Sequence, residues 1–506
     1  MHHILRYFTG LTFSVIACAS MQAQEILPLI QTQWGQDSPY NMFCPKDSLS
    51  GRHVLAGCGP IVMAQVIRYL QQPSVSPSGE KYQWELMTQK PLKQQEARAI
   101  AKLLADCGIN AFTSYGKDMS GTTTINVVNA LKKCFGYNPY IFIAKREQYP
   151  GAEGRRLWRR LIMNELQAGR PVIVSAQKGI DNRTGHLFLI DGVRGSHVHV
   201  NFGWNGKGDG YYALDDLNGY NSKQTVIIGL GKPDYVPDFR EVKTEHAGQL
   251  AELLPPSEWK QIQHLRVSGP LDKSDFKVLQ QMAREDFFVG HGGDLHSLDL
   301  SDAELEYLPD SAFYTTQTLF YVRLPKSLKQ IGLDAFNTCI YLNEVDIPSS
   351  VWRIRRGAFN NCFNLLNIHI PEGVRNVLSH TFNNCYNLTE VTLPASVDTL
   401  GFAVFANCKR LERLYIPAST HHIGPDLVKN CPNLREVIVD PANNKYAFRY
   451  GRIVTLSTRT QEQLGQTVSP MDEAKKAFVK GYNKIPTRRV RRVKLVKRNG
   501  KWVEVK

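Results

Sequence analysis

The chain has 506 residues, of which 42% are hydrophobic and 21% charged, and it carries a formal net charge of +15. This length exceeds what one hydrophobic core supports and predicts two to four domains, whereas the ordinary composition excludes a mainly disordered or membrane-embedded chain. Between residues 484 and 506, ten Lys and Arg residues stand against one acidic residue, so this tail holds +9 of the +15. The charge therefore indicates a local anionic contact of the tail, and no nucleic-acid partner is expected.

Residues 1–23 show the pattern of an export signal. Two histidines and an arginine precede an apolar run over 11–17, which is too short to cross a bilayer as a stable helix. Small residues follow, so signal peptide cleavage is expected after Ala19 or Ala23. The residues before Cys18 are also typical of a lipoprotein signal, which would leave Cys18 lipidated. Both alternatives predict a secreted or cell-surface protein.

Cys58 begins a predicted helix. The residues Gly57-Cys58-Gly59-Pro60 precede apolar residues at helical spacing, and a proline suits the first turn of a helix. The positive end of a helix dipole can lower the pKa of a cysteine from about 8.5 to roughly 3.5–7.5, which favours the nucleophilic thiolate. A buried structural cysteine is the alternative, so chemistry at Cys58 requires a histidine, an orienting group and an oxyanion donor.

Three further helices and then four strands follow Cys58. The helices are predicted over 94–107, 124–134 and 157–168, and the strands over 171–175, 186–190, 196–201 and 211–214. Helices followed by an antiparallel sheet predict an α+β domain. A cysteine on an early helix and a histidine on a later strand is the arrangement of papain-like thiol enzymes. His186 is the candidate base, with His197 and His199 as alternatives, whereas His53 has no local motif.

Four motifs carry a family resemblance: Gln36-x-x-Pro39-Tyr40-Asn41, Gly57-Cys58 with Ala64-Gln65-Val66, Gly185-His186-x-Phe188, and Val200-Asn201-x-Gly203-Trp204. In these residues, and over about 31–231, the chain resembles the streptopain family of secreted bacterial cysteine peptidases. The resemblance implies a papain-like cysteine peptidase domain over 24–235 that acts on protein or peptide substrates without a cofactor. Such a domain would begin directly after the predicted signal peptide, with no room for a long propeptide.

The resemblance also implies the catalytic roles. Cys58 would be the nucleophile and His186 its base. The side chain of Gln36 and the backbone N–H of Cys58 would form the oxyanion hole, and losing one such donor typically lowers the rate about 100- to 1000-fold. Gly185 would line the substrate cleft beside the histidine.

Asn201 and Trp204 would support His186. An asparagine can accept a hydrogen bond from an imidazole N–H, and a tryptophan can shield that bond from water. The chain departs from the family pattern at two places. Phe202 replaces a tryptophan and loses an indole N–H donor, and Gly59-Pro60 replaces a small apolar pair after the cysteine.

A repeat region follows the peptidase-like part. Residues 236–261 are polar and contain three prolines, which predicts a linker, and a strand over 262–267 and a helix over 275–283 are expected to cap the repeats. From residue 313, a period of 23 fixes several residue types at once: Phe313, Phe336, Phe359, Phe382 and Phe405; Leu319, Leu342, Leu365, Leu388, Leu411 and Leu434; Cys339, Cys362, Cys385, Cys408 and Cys431. This period predicts a leucine-rich repeat solenoid over 262–456.

The repeats look like the BspA-type leucine-rich repeats of bacterial surface proteins. Each repeat would supply one short strand, about 4.8 Å from the next, and bury its Phe and Leu side chains. The repeat cysteines share one inward position and are expected as free structural thiols, and no cysteine spacing fits a metal site. The solenoid predicts a surface for an unknown protein ligand or for its own peptidase domain, with a passive spacer as the alternative.

Residues 457–506 form the basic C-terminal segment. It ends in a predicted β-hairpin, because Asn499-Gly500 is a strong signal for a type I′ turn. Its arginines could contact anionic lipid or glycan, and a solvated edge that blocks strand pairing is the alternative. Membrane or surface association would thus come from a lipidated Cys18 or from this tail.

These features favour a secreted or cell-surface bacterial cysteine endopeptidase with a Cys58–His186 dyad and a leucine-rich repeat domain for partner or substrate binding. One alternative is a surface adhesin with an inactive papain-like domain, since Phe202 and the missing propeptide depart from the family. The other is an amidase or acyl-transferase that uses the same dyad. It would form an acyl-enzyme yet leave protein substrates intact.

Overall fold

The computed structural model describes residues 25–116, 118–179, 185–284, 292–449, 452–455, 494–498 and 501–505. The predicted export signal, including Cys18, lies outside these residues. Within them, no helix is both long and apolar enough to cross a membrane. The described chain divides at about residue 235 into an N-terminal domain of helices and one sheet and a C-terminal solenoid.

Four helices belong to the N-terminal domain: α1, Cys58–Leu70; α2, Gln94–Asn110; α3, Thr124–Asn129; and α4, Gly151–Gln167. The π-helical turn Ala130–Cys134 continues α3. Before α1, Gly57 adopts a φ of 93°, a left-handed conformation that favours glycine. The predicted helix over 94–107 continues to Asn110, and Gly108 lies inside it, where the missing side chain leaves room for the Tyr115 hydroxyl.

A seven-stranded antiparallel sheet completes this domain, in the order β2-β7-β3-β4-β5-β6 with β1 paired to β4. Its strands are β1, Glu25–Ile26; β2, Phe142–Lys145; β3, Val172–Gln177; β4, Gly185–Arg194; β5, His197–Asn201; β6, Gly210–Ala213; and β7, Ser222–Ile228. The predicted strands are β3 to β6. Helices followed by an antiparallel sheet confirm the predicted α+β class.

Residues 236–261, predicted to be a linker, belong instead to a folded cap on the solenoid. The cap consists of β8, Arg240–Lys243; α5, Leu250–Leu253; β9, His264–Pro270; and α6, Lys273–Met282. β8 pairs in parallel with β9, and Leu250, Leu254 and Trp259 are buried in the solenoid core. The prolines therefore mark turns between short elements, and the apolar side chains between them close one end of the repeat stack.

Two rows of parallel strands run along the solenoid. They are β10, Ser297–Asp299; β11, Ala303–Glu304; β12, Tyr321–Arg323; β13, Gln330–Ile331; β14, Glu344–Asp346; β15, Arg353–Ile354; β16, Asn376–Val377; β17, Glu390–Thr392; β18, Thr399–Leu400; β19, Arg413–Ile416; β20, His422–Ile423; and β21, Glu436–Val439. Val322 pairs with Val345 and Leu414 with Val437, so the sequence period sets the register. We call the row formed by β10, β12, β14, β17, β19 and β21 the strand face.

Two ladders of side chains fill the solenoid. Phe336 stacks on Phe359 with ring centres 5.1 Å apart, and the neighbouring repeats continue the stack. The Cys362 thiol donates to the carbonyl oxygen of Phe336 at 3.1 Å, and the other repeat cysteines make the same bond. All five are free thiols, and they form a row along the solenoid.

Two hairpins lie beyond the repeats. The first joins β22, Tyr446–Arg449, to β23, Arg452–Thr455. The second joins β24, Lys494–Arg498, to β25, Lys501–Val505, with Arg498 opposite Lys501. The predicted turn at Asn499-Gly500 lies outside the described residues.

The N-terminal domain packs against the first coils of the strand face. Phe142 of β2 stacks on Phe320 with ring centres 5.2 Å apart, and Tyr140 meets Tyr321 edge-on at 5.3 Å. Asn343 covers the free edge of β2, because it accepts from the Ile143 N–H at 2.9 Å. Two ion pairs with N–O distances of 2.7 Å flank this contact: Lys132–Glu344 and Arg160–Asp294.

Candidate active site

Cys58 is the first residue of α1 and is partly buried. The helix start is tightly packed, since a Cβ on Gly59 would lie 2.2 Å from Cγ2 of Thr122. The backbone N–H of Leu187 favours the thiolate form of Cys58, and Cys58 packs against the buried cluster that includes Leu187. Because Leu187 follows His186 in β4, the segments of the predicted nucleophile and base lie in the same region of the domain.

His186 is held in one tautomer. It is 7% exposed, and its Nε2 lies 2.8 Å from the carbonyl oxygen of Phe202. A carbonyl oxygen can only accept, so Nε2 carries the proton and Nδ1 keeps its lone pair. An imidazole in this state can take a thiol proton at Nδ1.

Aromatic side chains enclose the histidine. The Trp204 ring stacks on His186 with centres 4.6 Å apart and an angle of 26° between the planes. The rings of Phe188, Phe202 and Tyr220 lie 5.9, 6.3 and 5.7 Å from it. This apolar enclosure limits the access of water to the bond at Nε2, and the position of Trp204 fits its predicted shielding role.

Asn201 does not supply the orienting acceptor, contrary to the prediction. Its Nδ2 donates to the carbonyl oxygen of Thr32 at 2.9 Å, and its Oδ1 accepts from Nε2 of Gln65 at 3.1 Å and from the Gly203 N–H at 3.0 Å. The acceptor at the histidine is the carbonyl of Phe202, the next residue. A main-chain group leaves no signal in the residue type, so the sequence could not identify it.

Gln36 lies close to Cys58 along the fold. Ala56, two residues before Cys58, donates its N–H to the carbonyl oxygen of Gln36 at 2.8 Å. The carbonyl oxygen of Trp34 accepts from the Asn205 N–H at 3.2 Å, which ties the same segment to the turn after β5. Gln36 is partly buried, and its placement is compatible with the predicted oxyanion role.

The remaining candidate residues lie as follows. Gly185 is exposed at the start of β4, one residue before the base, at the predicted edge of the cleft. His53 binds a carbonyl of its own loop, His199 pairs with Asp191 at 2.7 Å, and His197 is exposed. His53 and His199 are therefore engaged and His197 is exposed, and His186 stays the predicted base.

Burial keeps both members of the pair uncharged. Burial raises the pKa of the Cys58 thiol above its ordinary value, and hydrogen bonds from backbone N–H groups oppose this shift only in part. Burial also lowers the pKa of His186 to about 4, with a smaller contribution from Lys178. Burial of Cys58 therefore opposes the lowering of its pKa that the helix start alone predicts.

Gln65 is a polar residue buried inside the apolar stripe of α1, and its residue type at that position signals a hydrogen-bonded role. Among the residues that the structure describes, no three His, Cys, Asp or Glu side chains are grouped so as to hold a metal ion. The described residues supply a thiol at the start of α1 and, on β4, an imidazole with a basic Nδ1. Such a pair can perform nucleophilic acyl transfer.

Comparison with known proteins gives two family matches. Residues 34–212 match the Peptidase C10 family, and residues 295–449 match six copies of the BspA type leucine rich repeat region. Streptopain of Streptococcus pyogenes is 28% identical over 244 residues, which cover 39% of this chain and 60% of streptopain. The thiol protease/hemagglutinin PrtT of Porphyromonas gingivalis is 28% identical over 244 residues, which cover 40% of this chain and 27% of PrtT.

A solved structure also matches the N-terminal domain. The structure of active wild-type interpain A, a cysteine protease of Prevotella intermedia, is 30% identical, covers 40% of this chain and 94% of that chain, and has a TM-score of 0.36. The chain spans 60% or less of the length of the two curated relatives. The family matches confirm the predicted resemblance to the streptopain family and to BspA-type repeats, together with the predicted fold class.

Proposed function

Because the chain belongs to the Peptidase C10 family through residues 34–212 and carries a BspA-type repeat region, we propose that it is a cysteine endopeptidase that hydrolyses protein substrates through Cys58 and His186. The observation that carries this proposal is the bond from His186 Nε2 to the carbonyl of Phe202. It leaves Nδ1 free to act as a base beside the thiol at the start of α1.

The proposed reaction has two halves. The Cys58 sulfur attacks the peptide carbonyl carbon while the thiol proton passes to Nδ1 of His186. The imidazolium then gives that proton to the leaving amine as the C–N bond breaks, which leaves a thioester. Water loses a proton to the imidazole and attacks the thioester, and the products are a carboxylic acid and the restored thiol.

The oxyanion of each half-reaction needs two donors. We assign these to the backbone N–H of Cys58 and the side-chain amide of Gln36. The support for Gln36 is its carbonyl bond to Ala56, which holds the segment next to the helix start. Replacing Gln36 by Ala should lower kcat about 100- to 1000-fold.

The solenoid is proposed to bind a protein partner or substrate with the later part of its strand face. The earlier part is already covered, since Lys132 pairs with Glu344 and Lys133 donates to Asn367 at 3.0 Å. The coils that carry β19 and β21 follow this contact. We therefore place a partner surface on those coils.

We also propose that the protein is exported and acts outside the cell or on its surface. The support is the pattern of residues 1–23, with cleavage after Ala19 or Ala23, or lipidation of Cys18. Mass measurement of the N-terminal peptide from the native host separates these alternatives. Attachment through the basic tail would instead appear as binding to anionic vesicles that is lost when residues 484–506 are removed.

The proposed activity is tested by incubating the full chain with casein at pH 7 under mild reductant. We expect the parent to cleave casein and Cys58→Ala to leave it intact. Cys134→Ala, which removes another partly buried thiol of the same domain, should cleave like the parent. Intact casein together with rapid, His186-dependent alkylation of Cys58 would instead indicate an amidase or acyl-transferase, and the absence of both would indicate an inactive domain.

A further inference from the structure

Gln65 is a fully buried amide on the helix that carries the nucleophile. It lies two turns after Cys58 and is 0% exposed. Its Nε2 donates to Oδ1 of Asn201 at 3.1 Å, and its Oε1 accepts from the Thr32 hydroxyl at 2.8 Å. Both ends of the amide are therefore satisfied by residues from two other segments of the chain.

The two partners of Gln65 are also bonded to each other. Nδ2 of Asn201 donates to the carbonyl oxygen of Thr32 at 2.9 Å, and all three residues are buried. Three chain segments are thus joined by a closed set of hydrogen bonds inside an apolar core. Buried networks of this kind are rigid when every member is satisfied.

Each segment leads directly to a part of the proposed active site. Thr32 lies four residues before Gln36. Asn201 precedes Phe202, whose carbonyl orients the catalytic histidine, and its Oδ1 accepts the N–H of Gly203, which fixes the turn around that carbonyl. The same network therefore controls where the orienting carbonyl lies relative to α1.

We infer that Gln65 is a positioning residue of the proposed peptidase, which sets the Phe202 carbonyl, and through it His186, against Cys58. This inference rests on the proposed function of the same site. The amide nitrogen of Gln65, its donor end, matters most. Asn201 Oδ1 accepts hydrogen bonds from this nitrogen and from the Gly203 N–H. Displacing a catalytic base by a fraction of an ångström is enough to lower the rate of a proton transfer substantially.

The replacement Gln65→Glu tests the donor end without changing the shape of the side chain. An ionised carboxylate cannot donate to Asn201 Oδ1, whereas a protonated carboxyl can. We expect kcat on casein peptides and the rate of Cys58 alkylation to fall at least tenfold relative to the parent once the introduced carboxyl is ionised, with KM changed less than threefold. Because burial raises the pKa of a carboxyl, the ratio of variant to parent is measured from pH 5 to pH 9 and should recover as the pH falls through the pKa of the introduced group.

Other groups near this helix also titrate and must be separated from the introduced carboxyl. They are Cys58 and Tyr69 on α1, Asp191 and His199 from the packed strands, and Asp209, which accepts the Phe202 N–H. All of them are present in the parent, so they cancel in the ratio. Gln65→Leu, which cannot donate at any pH, should lose activity without recovery on acidification.

A matched control removes a buried amide elsewhere in the domain. Asn138 is 1% exposed and donates to the carbonyls of Gly229, Gly231 and Lys232. Asn138→Asp should lower the melting temperature but leave the dependence of Cys58 alkylation on pH as it is in the parent.

A second variant serves if Gln65→Glu does not fold. Thr32→Val removes only the hydroxyl donor to Gln65 and should slow alkylation two- to fivefold.

The results separate this inference from the proposed function. A folded Gln65→Glu, or in its place Thr32→Val, that alkylates with the rate and pH dependence of the parent overturns the positioning role. Recovery that is equally absent in Gln65→Glu and Gln65→Leu overturns the role of the donor end. If the parent leaves casein intact, the proposed peptidase fails, while the alkylation profiles still decide the role of Gln65.

Discussion

At the scale of single residues, the charge state of His186 follows from its enclosure by aromatic rings and one main-chain acceptor. Burial lowers its pKa from 6.5 to about 4. Between these values the unfolded chain binds more protons than the folded one, so stability falls as the pH drops from 6.5 to 4. The loss from this residue amounts to about 3 kcal/mol, at 1.36 kcal/mol for each unit of pKa.

Urea unfolding at pH 7 and pH 4 measures this effect. The replacement His186→Phe fills the enclosure with an uncharged ring and should reduce the loss of stability on acidification by about 3 kcal/mol. His197→Phe replaces an exposed histidine of the same domain. This variant should lose as much stability between pH 7 and pH 4 as the parent does. An identical loss in the parent and in His186→Phe would show that the histidine is solvated in the folded chain.

At the scale of elements, the turn after β5 must fit against α1. Gly203 has a φ of +67°, and a Cβ at this position would lie 2.6 Å from Cγ2 of Ile61. Gly203→Ala should therefore push the turn and the Phe202 carbonyl away from the helix. We expect casein cleavage to fall at least tenfold and the stability by about 2–3 kcal/mol, from strain and overpacking together.

A second glycine separates strain from overpacking. Gly136 has the same φ of +67° but no atom within 4 Å of a Cβ, so Gly136→Ala should cost about 1 kcal/mol and leave cleavage unchanged. Adding Ile61→Ala to Gly203→Ala removes the clashing methyl group and should restore part of the cleavage. Equal cleavage by Gly203→Ala and Gly136→Ala would contradict a close fit between the turn and α1.

The elements differ in how far their sequences predict them. The sequence predicts the repeats, because residue types that recur every 23 residues determine both the coil and the register of its strands. β2 and β7 were missed, since short apolar runs do not separate strand from helix by periodicity. The linker prediction is wrong because Leu250, Leu254 and Trp259 are buried by contacts with the repeats, which the proline content of this segment does not reveal.

The candidate site shows the same limit. The residue types of Cys58 and His186, together with the family motifs, predict the pair, and this assignment stays a prediction. The orienting carbonyl of Phe202 and the raised pKa of the Cys58 thiol depend on the tertiary arrangement, since one is a main-chain group and the other results from burial. Neither could be deduced from residue type and spacing.

At the scale of the whole molecule, the peptidase domain and the solenoid share an aromatic interface. Ending the chain after Tyr235 would expose Phe142, Tyr140 and the edge of β2. Each aromatic pair contributes about 0.5–1.5 kcal/mol beyond its buried area, so the fragment should be less stable than the full chain by at least about 2 kcal/mol and should self-associate through the open edge.

Thermal unfolding and sedimentation of the fragment test this expectation. A chain that ends after Thr455 keeps every described residue of the interface and should melt and sediment as the full chain does, corrected for mass. A fragment ending after Tyr235 that stays monomeric and melts at the parent temperature would show that the interface adds nothing to the stability of the peptidase domain.

The central claim, that Cys58 is the nucleophile of a peptidase, is tested most directly by active-site titration. The full chain is alkylated with limiting iodoacetamide at pH 7, the modified residue is located by peptide mass mapping, and casein cleavage is measured in the same samples. The account predicts that cleavage falls in proportion to the fraction of Cys58 modified and reaches zero at one alkyl group per chain. Cleavage that persists after Cys58 is fully modified would contradict it.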